Sequence, residues 1–308
     1  MNIYKVDSNL YDVRLDLEKM GIKNFLSTWI YKDDNICFIV DPGPSVLIDS
    51  LKQALNILNI GKNDLNYILL THIHIDHAGG TGKLISHFPN AKVLCHPRGL
   101  KHLISPEQLW SASIKTLGDM AEIYEKIIPI SKEQFSSPSD LDKGIFRIIE
   151  TLGHAPHHQS YIFKNYLFIG EVGGTHKDLA ENYYLRPATP PVFDYNAWKV
   201  AIQTLLNEHL VNHIICYPHY GMRKNADAML KIAEHQLSIW VEVIQKLIYL
   251  RHQSNFYDLL ISELERKDKI FANIKLLEDQ ARKFELIFIK NCIDGILNFL
   301  DKKKKKIE

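Results

Sequence analysis

Cysteine is scarce and scattered. The four in 308 residues, Cys37, Cys95, Cys216 and Cys292, lie far apart and form no C-x-x-C pair. That spacing excludes a thiolate zinc knot or a redox dithiol and points to a reducing compartment. Long apolar runs are missing as well, since none approaches the ~18 residues of a membrane span. Neither sign of charge dominates: 37 basic residues face 36 acidic ones for a net +1, a balance that favours neither nucleic acid nor an anionic membrane. The opening stretch, MNIYKVDSNLYDVRLDLEKMG, carries charges every few residues in place of the apolar core of a signal peptide. G-x-S-x-G is absent, so nothing suggests a serine nucleophile on a strand-to-helix elbow. These absences leave a cytoplasmic enzyme or binding protein as the expectation.

What is present is 46% hydrophobic, enough for a sizeable core in one large domain or one domain with an appendage. NFLSTWIYKDDNICFIVDPGP reads as two strands around a polar turn at Asp33, Asp34 and Asn35. VLIDSLKQALNIL has helical spacing and stops at Gly61; LNYILL is a short buried strand; TGKLISHF is a helix and AKVLCH the next strand. Strand, helix, strand predicts an α/β sandwich. Residues 105 to 140 read as helix then loop, and GIFRIIETL and YIFKNYLFIGE as two strands flanking GHAPHH. From about Asn225 onward the pattern is helical, with turn chemistry only near Ser254 and Asn255. The five lysines of DKKKKKIE read as a solvated, disordered tail.

Fifteen histidines are unevenly spent, because THIHIDH puts three of them and an aspartate into six positions where a strand ends. On an extended segment His72 and His74 share a face; if the chain turns helical at Asp76, then Asp76 and His77 swing to a neighbouring direction. Crowded imidazoles must be hydrogen-bonded, charged or metal-bound. Three further strand-end segments, TLGHAPHHQS, LFIGE and CYPHYG, add His154, Glu171 and His219. Nitrogen and carboxylate without sulfur suits zinc, iron or manganese. Two groups of three ligands can be drawn from the set with one carboxylate left to share, as two metals about 3.5–4 Å apart require. His158, four after His154, reads as a group that orients ligands by hydrogen bonds, and Asp41 as such a group or as a turn residue.

The H-x-H-x-D-H run, with Thr71 before it and Gly79 and Gly80 after, resembles the signature of the metallo-β-lactamase fold hydrolases. The likeness extends over residues 25 to 221: Asp41-Pro42-Gly43 is similar to the family's early aspartate-glycine turn, TLGHAPHHQS to its third histidine motif, LFIGE to its bridging-carboxylate strand and YPHYG to its last histidine motif. The resemblance implies a four-layer αββα sandwich over residues 1–224, with an additional helical region over 225–308 like the C-terminal helices of glyoxalase II-like members. It implies His72, His74 and His154 on a first divalent metal, Asp76, His77 and His219 on a second, and Glu171 between them, where members usually carry aspartate. Zinc is the leading metal, with iron or manganese as alternatives.

A bound divalent ion lowers the pKa of its water from 15.7 towards about 7, so a metal-bound hydroxide is the expected nucleophile, aimed by Asp76 as the catalytic carboxylate. A small thioester, ester or lactone is the expected substrate. The alternatives on the same fold are an iron-dependent sulfur dioxygenase and a phosphodiesterase. HPRGLKHLISPEQLW places His96, Arg98, Lys101 and His102 just after a strand, either as a basic rim over the site or as a solvated helix face. ENYYLRPATPP, with Tyr183, Tyr184 and Arg186, reads as a stiffened loop at the mouth of the site or an exposed surface loop. Tyr220 completes the candidate substrate contacts. The C-terminal helices either cap the substrate side or form the face of a homodimer.

Overall fold

The computed structural model describes residues 1–136 and 145–305. Its first sheet holds β1 (Asn2–Lys5), β2 (Leu10–Leu17), β3 (Ile22–Lys32), β4 (Cys37–Val40), β5 (Tyr67–Leu69) and β6 (Lys92–Leu94) in that order. Pairing is antiparallel as far as β4 and parallel from β4 to β6. Parallel neighbours need crossovers, supplied by α1 (Ile48–Ile57) between β4 and β5 and by α2 (Ile75–Ala78) and α3 (Thr81–His87) between β5 and β6. Then come α4 (Pro97–Ile104), α5 (Glu107–Leu117) and α6 (Asp119–Tyr124). The second half contains β7 (Arg147–Glu150), β8 (Gln159–Phe163), β9 (Tyr166–Phe168), the ribbon of β10 (Thr175–Asp178) and β11 (Tyr183–Arg186), α7 (Tyr195–Leu206), β12 (Ile214–Cys216) and β13 (Met222–Lys224). Its sheet runs β13-β12-β9-β8-β7, and β10 and β11 pair apart from it. The chain continues as α8 (Ala226–Leu247), α9 (Phe256–Lys267) and α10 (Asp279–Lys305).

Alternation along the strands builds the layers. Successive side chains leave a strand on opposite faces, so Trp29, Tyr31, Phe38, Val40, Leu69 and Leu94 of the first sheet meet Tyr161, Phe163, Phe168 and Cys216 of the second in one buried cluster. Phe38 lies at its centre, edge-on to Phe163 at 5.0 Å and to Phe146 at 5.0 Å; truncating it to alanine should cost about 3–5 kcal/mol. The intervening Ile30, Ile39, Ile68 and Val93 face outward against Leu51 and Leu55 of α1, Leu84 of α3 and Tyr124 of α6. On the far side Ile162, Leu167 and Ile215 pack against Trp198 of α7, Trp240 of α8, Leu260 of α9 and Ile293 of α10. The result is the helix, sheet, sheet, helix sandwich expected.

The helix α10 belongs to both halves, because Phe284 sits in the first sheet's outer core while Ile289, Ile293 and Ile296 sit in the second's. Several local readings change. The N-terminal stretch read as merely charged forms β1 and β2, whose alternation of Val13, Leu15 and Leu17 with Arg14 and Asp16 is that of a half-buried strand. The run YIFKNYLFIGE splits into β8 and β9 because Lys164 takes φ 52° in a hairpin turn. The C-terminal helices break twice, the second time around Phe271–Leu276 in a 3-10 turn. The lysine run is carried by α10 as far as Lys305; the rest of that tail and residues 137–140 of the reading over 105–140 lie outside the described residues.

Candidate metal centre

Strand β5 ends at Leu69, His74 stays extended at φ −59°, ψ 146°, and α2 starts at Ile75. That switch turns Asp76 and His77 away from His72 and His74, as the spacing predicts. His154 arrives from the loop between β7 and β8, Glu171 from the turn after β9 and His219 from the turn after β12. The seven residues form two groups with ligand atoms close enough for an ion each: His72, His74, His154 and Glu171, and Asp76, His77 and His219. Asp41, with His72 and His77, makes a third such group, though its oxygens are spent on other hydrogen bonds.

Those hydrogen bonds decide which imidazole nitrogen is free. Asp41 accepts the Thr71 backbone N–H at 2.8 Å and the Thr71 hydroxyl at 2.7 Å, and lies 3.2 Å from His77 Nδ1. A carboxylate can only accept, so His77 carries its proton on Nδ1. Thr71 Oγ1, having given its proton to Asp41, accepts from His72 Nδ1 at 3.0 Å. Carbonyl oxygens fix the other two: His154 Nδ1 donates to Ala188 at 2.9 Å and His219 Nδ1 to Phe25 at 3.4 Å. All four Nε2 atoms are left with lone pairs.

These lone pairs converge on one carboxylate. Glu171 Oε2 lies 3.0 Å from His154 Nε2, 3.5 Å from His72 Nε2 and 3.7 Å from His77 Nε2, and Oε1 lies 3.3 Å from His219 Nε2. His72 Nε2 and His77 Nε2 are buried and have no hydrogen-bond partner. Acceptors facing acceptors in a buried space repel unless cations stand between them. The donor set therefore fits divalent metal ions. Electrostatics agree: burial, reinforced by His77, holds His72 well below its ordinary pKa, and burial with His154 lowers His74 to about 4. For His77 burial works the same way, but Asp76 and Asp41 outweigh it and raise it to about 9.

Glu171 is held by a directed chain. Its backbone N–H donates to His158 Nε2 at 3.0 Å, so His158 donates from Nδ1 to Thr151 Oγ1 at 2.9 Å. Thr151 in turn reaches Ser160 Oγ at 2.9 Å, and Ser160 donates to the Ile169 carbonyl at 2.9 Å. With both nitrogens occupied, His158 orients the site and does not ligate. Gly170 makes room for this: it sits at φ +61°, and a Cβ there would lie 2.4 Å from His158 Nε2.

Residues 24–219 match the family described as the Metallo-beta-lactamase superfamily. The chain belongs to the metallo-beta-lactamase superfamily. With that membership comes the metallo-hydrolase class. This superfamily member is 30% identical over 208 residues to the metallo-beta-lactamase fold-containing protein ST1585 of Sulfurisphaera tokodaii, covering 60% of this chain and 76% of that one. It is 32% identical over 161 residues to a hydroxyacylglutathione hydrolase of Actinobacillus pleuropneumoniae, covering 50% of this chain and 54% of the relative, so the match spans about half of each. The solved structure of ST1585 superposes with a TM-score of 0.56 at 25% identity over 70% of this chain and 80% of that one. The structure of TTHA1429 from Thermus thermophilus gives 0.64 at 17% identity over 97% and 95%, a likeness of fold that includes the C-terminal helices.

The candidate substrate contacts do not gather as the metal residues do. His96 caps α4, with Nδ1 accepting the Arg98 N–H at 3.1 Å and Nε2 on Glu150 at 2.7 Å, so both ring nitrogens are taken. ENYYLRPATPP is not a loop throughout, since Tyr183–Arg186 is β11. Tyr184 and Arg186 point inward together, both bonded to Glu285 of α10. Tyr183 lies beneath Arg223, and Tyr220 beneath Arg14 and Lys177. Arg98 alone of the six borders a cavity shared with a histidine of the cluster's own loop, His157. His157 was passed over in the sequence although GHAPHH displays it; its ring centroid is 5.7 Å from that of His74.

Proposed function

We propose that the protein hydrolyses a small thioester, or a related ester or lactone, with two divalent metal ions, zinc foremost, held by His72, His74, His154, Asp76, His77, His219 and the shared Glu171. Bound there, the metals would supply an activated water and stabilise negative charge developing on the acyl oxygen. The chain's own part is orientation. Asp41, Thr71, Ala188 and Phe25 fix four imidazole tautomers before any ion arrives. Asp76 is partly exposed beside His77, 3.6 Å away, and is the carboxylate placed to accept a proton from the attacking water. Residues 1–224 form the catalytic unit of this reading, and 225–308 the helical extension that walls it.

The observation that carries the reading is the set of four Nε2 lone pairs turned on one buried carboxylate, two of them without any partner. The hydroxyacylglutathione hydrolases among the relatives favour a thioester. The test is release of thiol from a hydroxyacylglutathione and from simple acyl thioesters by protein loaded with zinc, iron or manganese, with metal content measured alongside. Turnover that tracks two ions per chain is expected. Two bound ions with no cleavage of any thioester, ester or lactone would overturn the hydrolase reading; oxygen uptake with a persulfide would replace it by the dioxygenase.

A further inference from the structure

Two cavities border the sequence's candidate substrate residues, and their charges differ. The larger, about 690 Å³, contains Arg14 and Arg223, but Asp178 already pairs with both, at 2.8 and 2.7 Å. The second, about 570 Å³, lies between α4 and the GHAPHH loop and has Arg98, Lys101 and Lys132 around an apolar floor that includes Leu100 and Ile104. No carboxylate lines it among the described residues. Among the described residues Lys101 and Lys132 make no side-chain hydrogen bond or ion pair, and Arg98 uses one guanidinium nitrogen on the Pro156 carbonyl at 3.2 Å. Its size and its mix of apolar lining with a few polar groups are those of a small-molecule site.

Position gives the cavity a role. His157, in its wall, accepts the Ile73 N–H at 3.4 Å and has its ring centroid 5.7 Å from that of His74. A molecule seated there would lie against His157, one imidazole away from the first group of candidate metal ligands. Three cations with no carboxylate partner among the described residues, over a greasy floor, select a short apolar linker that ends in negative charge.

We propose that this cavity is the specificity subsite, holding an anionic terminus, carboxylate or phosphate, of the substrate whose acyl bond lies at the metal centre. The proposal rests on the hydrolase reading, and deepens it to a class: acidic thioesters. The attraction acts within a Debye length of about 8 Å at physiological salt, so it should weaken as salt is added.

The test uses the metal-loaded protein and three thioesters: butyryl-N-acetylcysteamine, which is neutral, succinyl-N-acetylcysteamine, with a carboxylate on the acyl side, and butyryl-phosphopantetheine, with a phosphate on the thiol side. At least one anionic substrate should exceed the neutral one about tenfold in kcat/KM, and which one does so identifies the anion. In Lys101→Glu/Lys132→Glu, whose changes touch no hydrogen bond, the ratio should fall to unity or below; a thermal melt confirms folding. Arg98→Ala should lower the same ratio. Binding of succinate and inorganic phosphate is titrated calorimetrically in parallel, parent against the double variant. Equal ratios in parent and double variant, or no preference in the parent, would overturn the proposal. If no thioester is cleaved, anion binding that the double variant loses supports the subsite while the hydrolase reading fails. Binding that the variant retains overturns the subsite.

Discussion

Replacing Glu285 by glutamine should cost more than any other single charge removal in the C-terminal helices. Its carboxylate lies 3.2 Å from Lys177 Nζ and 2.6 Å from Arg186 Nε, and all three residues are at least 95% buried. Two cations share one anion, so glutamine would leave both uncompensated. Breaking a buried pair in this way costs about 3–5 kcal/mol. At roughly 2.1 cal/mol/K per residue over the chain, that amounts to a drop of about 5–8 °C in Tm. Lys177→Met, by contrast, leaves a balanced Glu285–Arg186 pair and should cost less than about half as much. The pH dependence gives a second measure. Burial alone would raise the Glu285 pKa, but Arg186 and Lys177 outweigh it and lower it from 4.5 to about 2. A depressed carboxylate contributes its stability in full above about pH 4.5 and loses it as pH falls towards 2, a difference of about 3 kcal/mol. Urea unfolding of parent, Glu285→Gln and Lys177→Met at pH 7, 4.5 and 3 reads both effects. If the lysine variant is as damaged as the glutamine one, or if parent and glutamine variant lose stability equally between pH 4.5 and 3, the charge imbalance is not what matters.

Gly170→Ala should lower metal affinity at least tenfold and lower Tm, since the left-handed φ costs about 1–2 kcal/mol and the new methyl displaces His158; metal titration and a thermal melt check both. Asp41→Asn should weaken metal binding about 10–100-fold, read by competition with a chromogenic chelator, because an amide at that point cannot accept from both Thr71 and His77. Glu171→Asp should keep two ions per chain by elemental analysis, whereas Glu171→Ala should lose the tighter hold on at least one; identical stoichiometry and affinity in parent and alanine variant would contradict coordination by this residue. Removing metal with a chelator should leave the far-UV circular dichroism intact, because the sheets close around Phe38 and Trp29 with no metal contact, while lowering Tm.

The candidate metal residues could be picked out because four of the seven sit in one contiguous motif and the others in strand-end segments with recognisable composition, and the fold brings them together. The helical turn that the sequence offered as a condition at Asp76 begins one residue earlier, at Ile75. The surroundings of two candidate substrate contacts were not legible, because exposure cannot be read from type: Tyr184 and Arg186 look like a polar surface pair, yet the period of β11 turns both inward to Glu285, a hundred residues away. The charged alternation of β2 hid a strand for a related reason, since Arg14 and Asp12 satisfy each other at 2.7 Å. Lys132 entered the candidate subsite only through the fold, having no sequence neighbour in the chemistry.

The way α10 spans both halves bears on how the chain is made. Every candidate metal ligand has emerged by His219, but Phe284, Ile289, Ile293 and Ile296 come some 65 to 77 residues later. At about 5–20 residues per second of synthesis, the outer face of the second sheet waits several seconds for its last covering helix. Ile162, Leu167 and Ile215 already have Trp198 of α7 and Trp240 of α8 to pack against during that interval, but the side of α8 that meets α10 is still bare. A nascent chain in this state has its ligands in hand before its core is finished, so early metal capture would organise the strand ends while the apolar outer face is the surface a chaperone must shield.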